Sequence, residues 1–256
     1  MKSTRRTFLK VAGVSLLGIG AKPLLDALAG GEETKIIQAP EALKAKRWAM
    51  VVDMSKFKSD ADLKRVIASC HRAHNVPDIG DPKKEVKWIW TEMYEHTFPG
   101  QHHAYTPETI KNRLFLVLCN HCDNPPCVRV CPTKATFRRD DGIVVMDMHR
   151  CIGCRFCMVA CPFGARSFNW KDPRPFIREI NPDFPTRTKG VVEKCNFCEE
   201  RLARGLLPAC VEASDGALIF GDLEDPKSEV GKILSSHYTL RRKNELGTKP
   251  CVFYII

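Results

Sequence analysis

Cys151, Cys154, Cys157 and Cys161, followed by Pro162, fall in the stretch CIGCRFCMVACP over 151–162. The spacing C-x2-C-x2-C-x3-C-P lets one loop present three thiolates to three irons of a [4Fe–4S] cube, while the fourth cysteine reaches a neighbouring cube. Structural zinc needs four ligands in two separated pairs, which this run does not offer. CNHCDNPPCVRVCP over 119–132 is the same device with a wider third gap. Exchange of fourth ligands fills two sites: Cys151, Cys154, Cys157 and Cys131 at one, Cys119, Cys122, Cys127 and Cys161 at the other. His121 lies between two cysteines that already fill a site, so it reads as a neighbour of the cluster or a surface residue rather than a Rieske ligand.

The rest of the chain must position these loops. Its 256 residues leave room for two small modules rather than one large domain. Thirteen cysteines are far above ordinary usage. The formal charge is +10, but Lys2, Arg5, Arg6, Lys10 and Lys22 against Asp26 place a surplus of four in residues 1–29, leaving +6 on the remainder. Three oxidised cubes with four thiolates each contribute about −6, so the loaded chain is near neutral and offers no basic face for nucleic acid.

Ser3-Thr4-Arg5-Arg6-Thr7-Phe8-Leu9-Lys10, followed by the apolar run Val11–Ala21, reads as a twin-arginine export signal, either cleaved at Ala27-Leu28-Ala29 or retained as a short anchor. The run is too short to span a bilayer, which takes about 20 residues. Exported proteins usually form disulfides. The twin-arginine route moves folded proteins, so clusters can be inserted first and carried across. The expected location is the extracytoplasmic face of the membrane.

Glu32–Lys46 reads as a polar, partly helical arm and Trp48–Asp53 as a strand. Leu63, Val66, Ile67 and Cys70 recur at helical spacing over Asp60–Cys70, behind Ser59 or Asp60 as N-cap. Val86, Trp88 and Trp90 alternate as in a strand. Thr136–Arg139 and Ile143–Met146, across Asp140-Asp141-Gly142, predict a hairpin. There is an internal repeat: CPTKA (131–135) and CPFGA (161–165) close equivalent cysteine runs, and Ser214-Asp215-Gly216-Ala217 resembles a degraded third copy. The proline-bearing stretch Trp170–Gly190 reads as a linker, and Ala217–Ile256 as a separate extended cover.

The two runs, together with Cys195-Asn196-Phe197-Cys198, Cys210 and GALIFGDLEDP (216–226), resemble the four-cluster iron–sulfur subunits of DMSO-reductase-type complexes. Within that family, the twin-arginine start and HRCIGCRFCMVACPFGARSFNWKDPRPF (149–176) are most similar to the DsrO type, HmeA in archaea, of the Dsr membrane complex of sulfur metabolism. The resemblance covers nearly the whole mature chain. It implies an α+β fold of two ferredoxin-like modules, one inserted in the other, with extended loops and a C-terminal tail. The signal would occupy 1–29, a one-cluster module 30–110 with 191–256, and an inserted two-cluster module 111–190.

The chain departs from the four-cluster pattern. Phe57, Asp60 and Leu63 stand where three cysteines are expected, and Ser214 stands for a fourth. Those four positions belong to one cube under crosswise ligation. Cys70, Cys195, Cys198 and Cys210 remain as a complete third site, giving three [4Fe–4S] clusters. Cys251 is left over, as a buried small hydrophobe. Leu63, Val66 and Ile67 are expected to fill the volume of the missing cube.

Fully ligated cubes carry electrons and leave no iron open to substrate. No phosphate loop, nucleophile triad, H-E-x-x-H or C-x-x-C-H accompanies them. His102-His103 and His71 with His74 read as surface or loop residues. The expected role is an electron-transfer subunit without a catalytic site. The resemblance implies, as partners, an integral NrfD-like quinone-reactive subunit and a multihaem cytochrome c. The runner-up is the corresponding subunit of a molybdopterin oxidoreductase of polysulfide or DMSO reductase type. A zinc- or disulfide-stapled binding module is the alternative of a different class.

Overall fold

The computed structural model describes residues 39–256, so the export segment and the start of the polar arm lie outside the described residues. From Ala39 to Lys46 the chain is turn and irregular backbone, not helix. β1 (Trp48–Asp53) follows and is buried along its whole length. Its residues divide between two cores. Trp48, Met50 and Val52 enter the largest core, while Ala49 and Val51 enter a smaller one. A strand covered on both faces reads as an unbroken apolar run, which is how WAMVV is legible.

α1 (Asp60–Ala73) starts at Ser59, with Asp62 completing a capping box. It buries Leu63, Val66 and Cys70. β2 (Ile89–Met93) pairs antiparallel with β3 (Leu114–Leu118), Ile89 opposite Leu118. The strand begins only at Ile89, although Val86, Trp88 and Trp90 are all buried. β4 (Thr136–Arg138) and β5 (Val144–Met146) form the expected hairpin. β6 (Ser167–Phe168) pairs with β7 (Val192–Glu193).

That short ladder closes the proline-bearing loop at its base, and the loop is not a free linker. Phe184 is buried in the largest core, and the Asn75 amide donates to the carbonyls of Asn181 and Phe184. The tail is likewise not a separate cover. β8 (Leu218–Asp222) runs antiparallel to β1 and β9 (Val252–Ile255) parallel to it, so the sheet order is β8-β1-β9. Between them α2 (Glu229–Ser236), capped by the Ser228 hydroxyl accepting from Gly231 N–H, places Val230 in the smaller core with Ala49, Val51 and Cys251. The last strands of the chain thus pair with β1, which lets Cys70 approach residues more than a hundred positions later. The largest core also takes Phe115, Leu116, Ile143 and Val145, so the stretches before, within and after 111–190 share it.

Candidate metal centres

Most of the cysteine loops lead into a single helical turn. Cys127, Cys157 and Cys210 lie inside the turns Pro126–Arg129, Phe156–Val159 and Ala209–Glu212, and Cys198 caps Glu199–Leu202. Each loop also takes a left-handed residue: His121 at φ 40°, Arg155 at φ 63°, Phe197 at φ 56° and Cys198 at φ 53°. Such turns direct backbone N–H groups towards sulfur. Thr136 N–H reaches Cys131 Sγ and Phe197 N–H reaches Cys195 Sγ, each at 3.5 Å.

The thirteen cysteines form no disulfide, and the neighbours of twelve of them are consistent with three groups of four. Cys131, Cys151, Cys154 and Cys157 line one small enclosed space with Thr136, Met146 and Val192. Cys122 lies close enough to Cys119, Cys127 and Cys161 for their charges to reach it. Cys70 stands in the same relation to Cys210, Cys195 and Cys198. The groups form a row: Cys157 senses Cys127 of the second, and Cys195 of the third senses Cys119 of the second. The second group is therefore central.

Burial grades along this row. All four cysteines of the third group are buried, two of the second and one of the first. Burial pushes the thiols of Cys70, Cys122 and Cys195 far up, and that of Cys210 to about 12. Without a cation these thiols stay protonated at neutral pH; a bound iron would provide the charge that makes them thiolates. Conversely, Arg166 and Lys194 are buried cations with no carboxylate partner among the described residues. Arg166 donates to Cys127 Sγ at 3.1 Å and to Thr136 Oγ1 at 3.0 Å. Lys194 donates to the carbonyls of Val144 and Cys195. A buried cation needs a counter-charge, and a thiolate-ligated cube is an anion. The donor set and the stranded cations both fit [4Fe–4S] clusters.

The four positions that would make a fourth site carry no thiol. Phe57 and Leu63 are buried, and Asp60 opens α1. The apolar filling is narrower than expected: Leu63 and Val66 enter the core, but Ile67 is only partly buried and lines a separate cleft. Beside Phe57, Asp60 and Leu63 a polar-rimmed cleft of about 310 Å³ remains. Ser214 accepts a backbone N–H much as a cysteine does in the first run. Its hydroxyl accepts the N–H of Leu218, the first residue of β8, at 2.9 Å, as Cys131 Sγ accepts that of Thr136, the first residue of β4.

His71 and His74 differ from expectation: His71 is half-buried on α1, with Nε2 3.2 Å from the Ile89 carbonyl. His74 is buried, not at the surface: Nδ1 lies 2.8 Å from the Cys70 carbonyl, Nε2 lies 3.0 Å from Glu200, and the ring stacks on Trp88. His74, Cys198 and Glu200 thus bring three donor atoms within 4.8 Å, but both ring nitrogens are already engaged in packing the third group. His121 is fully enclosed and accepts the Val144 N–H on Nδ1. His102 and His103 are exposed. Cys251 is buried as expected, with Arg47 beside it. Arg166, Lys194, Phe197 and Glu200 carry no spacing signal. Only the repeat could have pointed to Arg166, which occupies the position of Thr136.

Residues 110–174 match the family described as 4Fe-4S dicluster domain. The chain is 40% identical over 98% of its length to the Hdr-like menaquinol oxidoreductase iron-sulfur subunit 1 of Archaeoglobus fulgidus, covering 97% of that protein. It is 37% identical over its full length to a subunit of the tetrathionate reductase of Salmonella typhimurium, covering 89% of it. With the menaquinone reductase iron-sulfur cluster-binding subunit of Nitratidesulfovibrio vulgaris it shares 34% identity over 82% of this chain and 88% of the other.

Proposed function

The chain belongs to the family of iron–sulfur electron-transfer subunits of oxidoreductase complexes, and from that premise we propose how its clusters are held and whom they serve. It binds [4Fe–4S] clusters and relays electrons. We assign three of them, to Cys131, Cys151, Cys154 and Cys157; to Cys119, Cys122, Cys127 and Cys161; and to Cys70, Cys195, Cys198 and Cys210. The observation that carries this reading is the row of three cysteine groups with buried cations beside them. When bound, each cluster supplies one-electron storage. The residues order the sites, exclude water from the third and aim N–H groups at the sulfurs.

The same reading makes the fold two ferredoxin-like modules: 111–190 with two sites, inserted into a module of 30–110 and 191–256 with one. The repeat supports it, since Lys134 and Gly164, equivalent in CPTKA and CPFGA, are both left-handed, at φ 54° and φ 64°. For partners we propose an integral quinone-reactive subunit and a haem-bearing redox protein, on the extracytoplasmic side. The names of the menaquinol and menaquinone relatives support a quinone partner. Ile152, Phe156 and Val159, 68%, 59% and 88% exposed, stand around the first site, where an apolar partner could bring its redox centre close. Among the described residues no helix is long and apolar enough to cross a membrane, so membrane attachment would run through that partner.

Iron and acid-labile sulfide analysis tests the assignment. About twelve irons per chain are expected, four for each cube. Sixteen would restore a fourth site, and eight would remove the third. Purification of the native complex in mild detergent separates the partner readings: c-type haem absorbance supports the first, and bound molybdenum the substrate-reductase alternative.

A further inference from the structure

The two cysteine runs are copies, and their fifth residues after the closing cysteine are Thr136 and Arg166. In the structure these two equivalent residues touch: Arg166 Nη1 donates to Thr136 Oγ1 at 3.0 Å. They meet between the first and second cysteine groups. One position carries a long cation and the other a short hydroxyl, so a near-symmetric pair of sites is made unequal by a single side chain. The guanidinium is buried, and its other branch donates to Cys127 Sγ at 3.1 Å. Its remaining neighbour is a thioether, Met146 Sδ at 3.7 Å. No carboxylate shares its charge among the described residues. Cys157 of the first group also lies within reach of that charge, as does Cys119 of the second.

We infer that Arg166 is a positioning residue for electron transfer, holding up the reduction potentials of the two cubes that flank it and favouring the cube of Cys127 most. This deepens the three-cube reading and rests on it. The physical basis is direct. Reduction adds one negative charge to a cube, and a fixed, buried cation stabilises the reduced form. An N–H donated to a ligating sulfur acts in the same direction. Arginine serves better than lysine because its fork bonds Thr136 and Cys127 at once and keeps its charge at any working pH. No guanidinium is bonded to a sulfur of the third group: Lys194, whose charge reaches Cys195, spends its hydrogen bonds on carbonyls, and His74, with Nδ1 3.7 Å from Cys70 Sγ, lies against Glu200.

The test is a redox titration of the holo-protein followed by electron paramagnetic resonance, with the third cube identified as the signal lost in Cys70→Ala. Arg166→Gln should weaken reduction of the flanking cubes by at least tenfold, about 59 mV for a one-electron couple. The shift should be larger at the cube of Cys127, unchanged from pH 6 to 8, and absent at the third. Arg166→Lys should recover part of it. Thr136→Val, which removes only the oxygen that orients the guanidinium, should shift the same cubes less, and it decides the matter if Arg166→Gln fails to assemble. Full iron content with unmoved potentials in Thr136→Val and in any assembled Arg166 variant would overturn the role of Arg166 alone. An equal shift of all three cubes would also overturn it. Wild-type protein that binds no iron would instead overturn the three-cube reading.

Discussion

The His121 ring stacks on the Phe197 ring, with centroids 3.7 Å apart and planes 16° from parallel. Each is an inner residue of a C-x2-C loop, Cys119–Cys122 for one and Cys195–Cys198 for the other, and each has a left-handed backbone. The stack therefore fastens the central cysteine group to the third across more than seventy residues of chain. Phe197 also meets Phe220 of β8 edge-on, which ties both loops to the sheet.

Phe197→Ala should cost about 3–5 kcal/mol, the usual range for emptying a buried phenylalanine site. Because loss of iron makes unfolding irreversible, the measurement is the temperature at which the iron–sulfur absorbance bleaches. An unchanged bleaching temperature would show that the stack is not what holds the two loops together.

Cys70→Ala should lower iron from about twelve to about eight per chain, leaving the spectra of the other two cubes in place. His74 and Glu200, bonded 126 residues apart, sit beside that site and should lose order with it. Backbone exchange is expected to rise at the end of α1 and around Glu199–Leu202. Full iron retention would exclude Cys70 as a ligand.

Ser214→Ala strands the buried Leu218 N–H and should destabilise the protein by about 1–3 kcal/mol. Ser214→Cys should restore the acceptor without raising iron content, because Phe57, Asp60 and Leu63 provide no other thiolates. A gain of about four irons would mean that the fourth site needs only one ligand to reform.

Replacing Arg5 and Arg6 together with lysine should retain cluster-loaded protein in the cytoplasm, read by fractionation and absorbance. Normal export of the variant would rule out the twin-arginine route.

The cysteine spacings alone determined the chemistry, because a cube demands thiolates at fixed short intervals whatever surrounds them. Local pattern likewise determined β1, α1 and the hairpin β4–β5, the last two governed by contacts near in sequence. What the tertiary structure decided lies at long range. The tail joins β1 as two strands rather than lying over the fold, because an unbroken apolar strand must bury both faces and pair both edges. His74 is enclosed because Trp88 and Glu200 come to it from distant parts of the chain. Arg166 became meaningful only when the repeat folded on itself. A sequence shows an arginine after an alanine; only the packed structure shows that its charge is buried between two groups of thiols, with a sulfur and a hydroxyl to receive it.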